Sequence, residues 1–321
     1  MTCPSTSLGT NGAFVLPLSL DLDQAVGFTI PARSVRGRLV RLGPVLEQVL
    51  AAHAYPPPIE RLLAQALVLA ALLGSTLKHV DGQLTLQAQT ENGVVRLLVA
   101  DYQAGAVRGY VQFDADRLAE LGTDPTLFGL FGKGYLAITF DQAAPASEGA
   151  SGRYQGIVPL EGSSLGEAAE HYFCQSEQIP SIVQIASRHD PDGRCLAAGM
   201  LLQHLPEGEV GRERLHVRHD HVEWEHAKAL AATLQDAELT DDGLPLSDII
   251  WRLFHEEEEV RLFDPGPIVK GCRCNIAHIR DVIARFPAEE RADMADEAGQ
   301  ITVDCAFCSR LFPIPLHSFD N

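Results

Sequence analysis

Between residues 83 and 113 apolar and polar side chains alternate with a period of two. Leu84 and Leu86 are interleaved with Gln83, Thr85 and Gln87, Glu91-Asn92-Gly93 is a turn signal, and further runs follow at 94–100 and 107–113. The pattern predicts an antiparallel meander, because a strand sends successive side chains to opposite faces. Upstream the period lengthens. Residues 37–54 and 59–78 read as helices separated by Pro56-Pro57-Pro58; the second is apolar nearly all round, which places it in the core. Downstream, strands are expected at 135–141 and 153–160, a helix at 165–174, and strands at 182–187 and 197–203. Strands mixed with helices without regular βαβ alternation indicate an α+β fold, with an N-terminal antiparallel-sheet and helix domain over 13–206.

From 207 to 270 the composition shifts to charged residues and helix formers. Trp224, Ala227, Ala231 and Leu234 share one helical face. Ser247 reads as the N-cap of a helix carrying Ile249, Ile250, Leu253 and Phe254 on one side. The acidic run 256–259 ends that helix poorly, since negative charge opposes the dipole at a helix C-terminus. Such amphipathic helices have little core of their own and must dock on the first domain, so 207–270 reads as a helical linker. Asp264-Pro265-Gly266-Pro267 punctuates its end. The remaining segment, 271–321, is too short to hold a fold by core burial alone and needs a staple. Helices are expected there at 276–286 and 288–298, with Gly299 leading into a strand at 301–304.

Composition narrows the function. The 321-residue chain is 46% hydrophobic, so a sizeable core is available, and its net charge of −18 disfavours phosphate backbones and hence nucleic-acid partners. The first twelve residues lack the basic and apolar regions of a secretory signal, and the most apolar run, 62–73, is too short to span a bilayer. A cytosolic location with reduced thiols is therefore expected. Seven cysteines is an odd number, which argues against a purely disulfide framework; Cys3, Cys174 and Cys195 are scattered, and the last two read as buried small hydrophobes.

The other four carry the chemistry. Cys272 and Cys274 form C-x-C, and Cys305 and Cys308 form C-x-x-C on a strand-turn knuckle. Two close thiolate pairs separated by a segment that can fold back suit one tetrahedral Zn²⁺. The same sulfurs can form short-range disulfides if an oxidant displaces the metal, so the site is either structural or redox-dependent.

Three further motifs compete for attention. Gly162-Ser163-Ser164-Leu165-Gly166 fits a serine-hydrolase elbow, but Ser164 with Glu167 is also a helix capping box. Gly132-Lys133 lacks the Ser/Thr and the leading glycine of a phosphate loop, having Gly134 and Leu127 in those places. His216, His219, His221 and His226 suit a solvated polar linker better than a metal site. Two other functions use the cysteines: a thiol–disulfide oxidoreductase working through Cys305-Ala306-Phe307-Cys308, and a zinc-module adaptor without redox response.

The four-cysteine spacing, together with Cys305-Ala306-Phe307-Cys308 itself, resembles the zinc signature of the redox-regulated chaperones of the heat shock protein thirty-three family. The similarity extends to Leu73-Gly74-Ser75-Thr76-Leu77-Lys78, Val107-Arg108-Gly109-Tyr110 and Gln155-Gly156-Ile157-Val158. It continues through 172–180 and 199–203, and covers about 21–312 in all. The first twelve residues and the histidine-rich patch are not family features.

The resemblance implies an ATP-independent holdase rather than an enzyme, holding one Zn²⁺ on Cys272, Cys274, Cys305 and Cys308 when reduced and inactive. It further implies that hypochlorite, or peroxide with heat, forms the disulfides Cys272–Cys274 and Cys305–Cys308 and releases zinc. The C-terminal segment would then unfold, the linker loosen, unfolded client proteins bind exposed apolar surface, and the active form dimerise. Neither a membrane nor a nucleic acid is implied as a partner.

Overall fold

The structure, a computed structural model, describes residues 6–7, 22–77, 81–142, 152–160, 162–205 and 221–319. In chain order, β1 (Thr6–Ser7), β2 (Gln24–Ile30) and β3 (Val35–Leu42) precede α1 (Pro44–Leu50) and α2 (Pro57–Gly74). The meander follows as β4 (Gln83–Gln89), β5 (Val95–Gln103) and β6 (Ala106–Phe113), then α3 (Ala115–Glu120), α4 (Leu127–Phe131), β7 (Tyr135–Gln142) and β8 (Gly152–Pro159). After α5 (Leu165–Tyr172) come β9 (Ser181–His189) and β10 (Cys195–His204). The linker region holds α6 (Val222–Ala231), α7 (Asp236–Leu239) and α8 (Leu246–Phe254), then the short strands β11 (Arg261–Leu262), β12 (Gly266–Pro267) and β13 (Val269–Lys270). The chain ends in α9 (Ile276–Ile283), α10 (Ala288–Asp293) and the hairpin of β14 (Gln300–Asp304) with β15 (Leu311–Pro315).

Two largely antiparallel sheets enclose α2. The first runs β1-β11-β2-β3-β10-β9, with β12 also on β2; the second runs β13-β6-β5-β4-β7-β8. Inward residues of both sheets, such as Leu42, Leu84, Leu98 and Leu201, meet Leu63, Leu67 and Leu72 of α2 in one core. Each such side chain contributes about 1.5–3 kcal/mol by leaving water. The run at 62–73 thus belongs to an 18-residue helix with the length and composition of a membrane span, and its side chains are buried between sheets instead. The α+β expectation is met.

The helix expected at 37–54 is a correction. Residues 35–42 are strand β3, paired with β2 and β10, and only Pro44–Leu50 is helical. Val35 and Leu39 face one core while Val40 and Leu42 face the other, and burial on both faces erases the alternation that marks a strand. Gly37 leaves room for the Phe28 ring on the neighbouring strand, since a Cβ there would lie 2.0 Å from it.

The linker helices cover the other face of the first sheet. Trp224, Ala227, Ala231 and Leu234 join Ile249, Ile250, Leu253 and Phe254 over Phe28, Leu39 and Met200. Ser247 is not the N-cap. Helix α8 starts at Leu246 after Pro245, because Leu246 extends the buried stripe one turn earlier. The acidic run is answered by tertiary pairing: Glu257 accepts from Arg33 at 2.9 Å and contacts His226 at 3.1 Å, and Glu259 pairs with Arg261. Arg41, fully buried on β3, donates to the carbonyls of Leu239 at 2.9 Å and Leu244 at 2.7 Å, tying the α7 turn to the sheet.

Candidate metal centre

The sequence from Gly271 to Asn275 is an extended connection between β13 and α9. Asn275 caps α9 by accepting from the N–H groups of Ala277 and His278, so the C-x-C pair lies just outside a fixed helix start. The C-x-x-C pair lies in the β14–β15 turn. Cys308 and Ser309 donate to the Cys305 carbonyl at 3.2 and 2.8 Å, and Ser309 takes a left-handed conformation, φ 54°. This is the expected strand-turn knuckle. The helices beside it are shorter than 276–286 and 288–298, ending at Ile283 and Asp293.

The four sulfurs lie within 4.8 Å of one another, and all four cysteines are half-buried. Separations are 3.0 Å for Cys272–Cys274, 3.6 Å for Cys272–Cys305 and 3.5 Å for Cys274–Cys308. A tetrahedral site with metal–sulfur bonds of about 2.3 Å needs sulfurs about 3.8 Å apart, so small adjustments accommodate a divalent ion. Burial pushes the Cys272 thiol up, and burial with the adjoining thiols pushes Cys274 up. At Cys305 burial also raises the pKa, but hydrogen bonds from Cys274, from the backbone N–H groups of Phe307 and Cys308, and from Cys272 outweigh it and bring it to about 7. Four thiols packed this closely cannot all ionise without a cation among them. The donor set fits a soft divalent metal held by four thiolates.

The residues between the cysteines hold this module to the second sheet. Arg273 donates to Asp101 at 3.0 Å and to Gln83 at 2.8 Å, and also contacts Gln103. Asp101, 3% exposed, accepts in addition from Arg108 and Thr85, its cross-strand neighbours on β6 and β4. Phe307 packs under the Arg108 guanidinium, 3.9 Å from the ring centre, and edge-on to Tyr110. His53 Nε2 lies 3.4 Å from the Phe307 carbonyl. Sequence reasoning missed this seat. Its only local signal is an acid in mid-strand facing an arginine, Asp101 opposite Arg108, in a sheet otherwise neutral at that point.

The competing motifs resolve into structure. Ser164 Oγ accepts from the Glu167 N–H at 3.2 Å, and the Glu167 carboxylate returns to Ser163. Ser164→Ala is expected to cost about 1 kcal/mol of stability, as loss of an N-cap does, with no effect on function. A urea midpoint shift read beside a chaperone assay checks both halves. Gly132, at φ 57°, closes α4 before β7. His221 caps α6 and His226 contacts Glu257, whereas His216 and His219 lie outside the described residues, as does Cys3. Cys195 is buried and its thiol is pushed up to about 12 by burial, as a core cysteine should be; Cys174 is exposed, contrary to expectation, because it sits in the π-helical turn following α5.

Comparison with known proteins covers nearly the whole chain. Residues 23–314 match the family described as Hsp33 protein. The 33 kDa chaperonin of Caulobacter vibrioides is 38% identical over 301 residues, spanning 91% of this chain and 95% of that one. That of Serratia proteamaculans is 35% identical over 286 residues, 89% and 90% of the two chains. The crystal structure of the Thermotoga maritima 33 kDa chaperonin, a heat shock protein 33 homolog, superposes with a TM-score of 0.74 over 93% of this chain and 97% of that one. At 24% identity it attests the shared fold alone.

Proposed function

This chain belongs to the Hsp33 protein family of chaperones, and on that premise we propose that it is a redox-regulated, ATP-independent holdase. In this reading 13–206 is the chaperone core, 207–270 a metastable linker and 271–321 the redox switch. The reduced cytoplasmic form holds one Zn²⁺ on Cys272, Cys274, Cys305 and Cys308. Hypochlorite oxidises Cys272 with Cys274 and Cys305 with Cys308. Each thiolate pair gives up two electrons to one hypochlorous acid as its S–S bond forms, the hypochlorous acid and a proton become chloride and water, and the zinc loses its ligands. The active form binds unfolding proteins and dimerises; it needs neither nucleic acid nor membrane.

One observation carries the reading. The four-thiol cluster sits in a module whose buried apolar core is Ile283, Ile301 and Ile314, so the energy of the site decides whether the module folds. Loss of that neighbour removes the contacts of Arg273 and Phe307 with the second sheet and of Lys270 with the Gln48 carbonyl. The chain leading back to α8 is then held chiefly by the short pairings of β11 and β12 with β2, and the apolar faces around Trp224 and Ile250 can open. An oxidoreductase fits less well, because Cys305 and Cys308 lie in a β-turn and belong to a four-thiol cluster rather than forming a lone pair at a helix N-terminus.

Stoichiometry separates the two. The oxidised chain is expected to suppress client aggregation in proportion to its own concentration, and the reduced chain, supplied with dithiothreitol, to leave insulin disulfides no more rapidly reduced than dithiothreitol alone does. Multiple turnovers of insulin per chain, with zinc retained, would replace the holdase by the oxidoreductase.

A further inference from the structure

Strand β13 completes the second sheet by parallel pairing with β6, Val269 donating to the Gly105 carbonyl and Gly271 to the Val107 carbonyl, both at 2.9 Å. Without β13, the edge of that sheet is open from Ala106 to Gly109, beyond which the Tyr55 hydroxyl already accepts from the Val111 N–H and donates to its carbonyl. An uncovered edge presents a ladder of hydrogen-bonding groups that any extended chain can pair with. Beside it, on the same sheet, lie a buried acid that accepts a second guanidinium and an arginine–tyrosine seat for an aromatic ring.

We infer that the β6 edge with Asp101, Arg108 and Tyr110 is a peptide-docking site for extended segments of unfolded proteins that carry a basic and an aromatic side chain. Residues 269–273 and Phe307 occupy it in this structure as a built-in competitor. The inference rests on the reading that the C-terminal module leaves on oxidation. The backbone ladder gives affinity without regard to sequence, which suits a chaperone, while the two side-chain seats bias the choice. The net charge of −18 favours basic segments further. A tethered occupant acts at an effective concentration of roughly millimolar, so weaker clients enter only after the tether is released.

The test is a fluorescent peptide of residues 266–276, with Cys272→Ser and Cys274→Ser, titrated by anisotropy into the full-length chain. Hypochlorite-treated chain is expected to bind it at least about tenfold more tightly than reduced, zinc-loaded chain. Arg273→Glu in the peptide, or Asp101→Asn in the protein, is expected to weaken binding about tenfold, the scale of a lost charge-assisted hydrogen bond. The peptide substitution leaves the protein unchanged and so decides the matter even if Asp101→Asn folds poorly. Equal binding to both forms, no binding to either, or indifference to the Arg273→Glu substitution would overturn the site. Zinc release is followed in the same samples. A chain that keeps its zinc under hypochlorite contradicts the redox reading instead. The reduced R273A/F307A chain, undocked without oxidation, then tests the site by itself: binding supports it and no binding overturns it.

Discussion

On the proposed reading, removing zinc from the reduced chain is expected to unfold residues 271–319 and to leave the two-sheet body intact. The module buries Ile283, Ile301, Phe312 and Ile314, with Ile279, Val303, Leu316 and Phe319 partly covered. At about 1.5–3 kcal/mol for each fully buried side chain, this core does not repay the ordering of so many residues. Structural zinc in small modules supplies about 10–16 kcal/mol of apparent free energy, which is the dominant contribution. Cys305→Ser should act in the same direction, since it removes one of the four proposed ligands. Hydrogen exchange by mass spectrometry checks this: chelation or the substitution abolishes protection in β14, β15 and α9, while β3 and β10 keep theirs. Protection of the hairpin that survives metal removal, or unchanged zinc stoichiometry in Cys305→Ser, contradicts the four-ligand assignment.

The second large effect is at Arg41. Its guanidinium is fully buried and donates to the carbonyls of Leu239, Leu244 and, at 3.3 Å, Glu238. Arg41→Ala deprives those carbonyls of their charged donor and opens a cavity under α7. Losing hydrogen bonds to a charged group costs about 1.5–3 kcal/mol each, so roughly 3–6 kcal/mol is expected from the two short ones, concentrated on the linker helices. The variant should hold clients while reduced and zinc-loaded. Trp224 is 4% exposed and Trp251 is 61% exposed, so a red shift of tryptophan emission reports the opening of α6 in particular. An unshifted emission spectrum with exchange over 222–254 unchanged would contradict this role for Arg41.

What the sequence makes legible follows from how local each signal is. The β4–β6 meander shows because one face is wet and one dry, so alternation survives. Strand β3 does not show, because both faces are covered and its apolar positions mimic a helix. The four clustered cysteines are legible because two close pairs are a local pattern with few chemical uses. The seat of Arg273 and Phe307 is not, since its partners lie far upstream and nothing about a lone Asp101 announces a second arginine. Helix ends fail for the same reason: Glu257 in the acidic run is paired with Arg33 and contacts His226, which pattern reading along one helix cannot see.

The central claim is that metal loss and client holding are one event. Light scattering of a heat-unfolding client, recorded with the chain either reduced and zinc-loaded or pre-treated with hypochlorite, tests it most directly when zinc release is followed in the same samples. The account predicts suppression by the oxidised sample alone, rising in step with zinc release. Equal suppression by both samples, or suppression with the zinc retained, would contradict it.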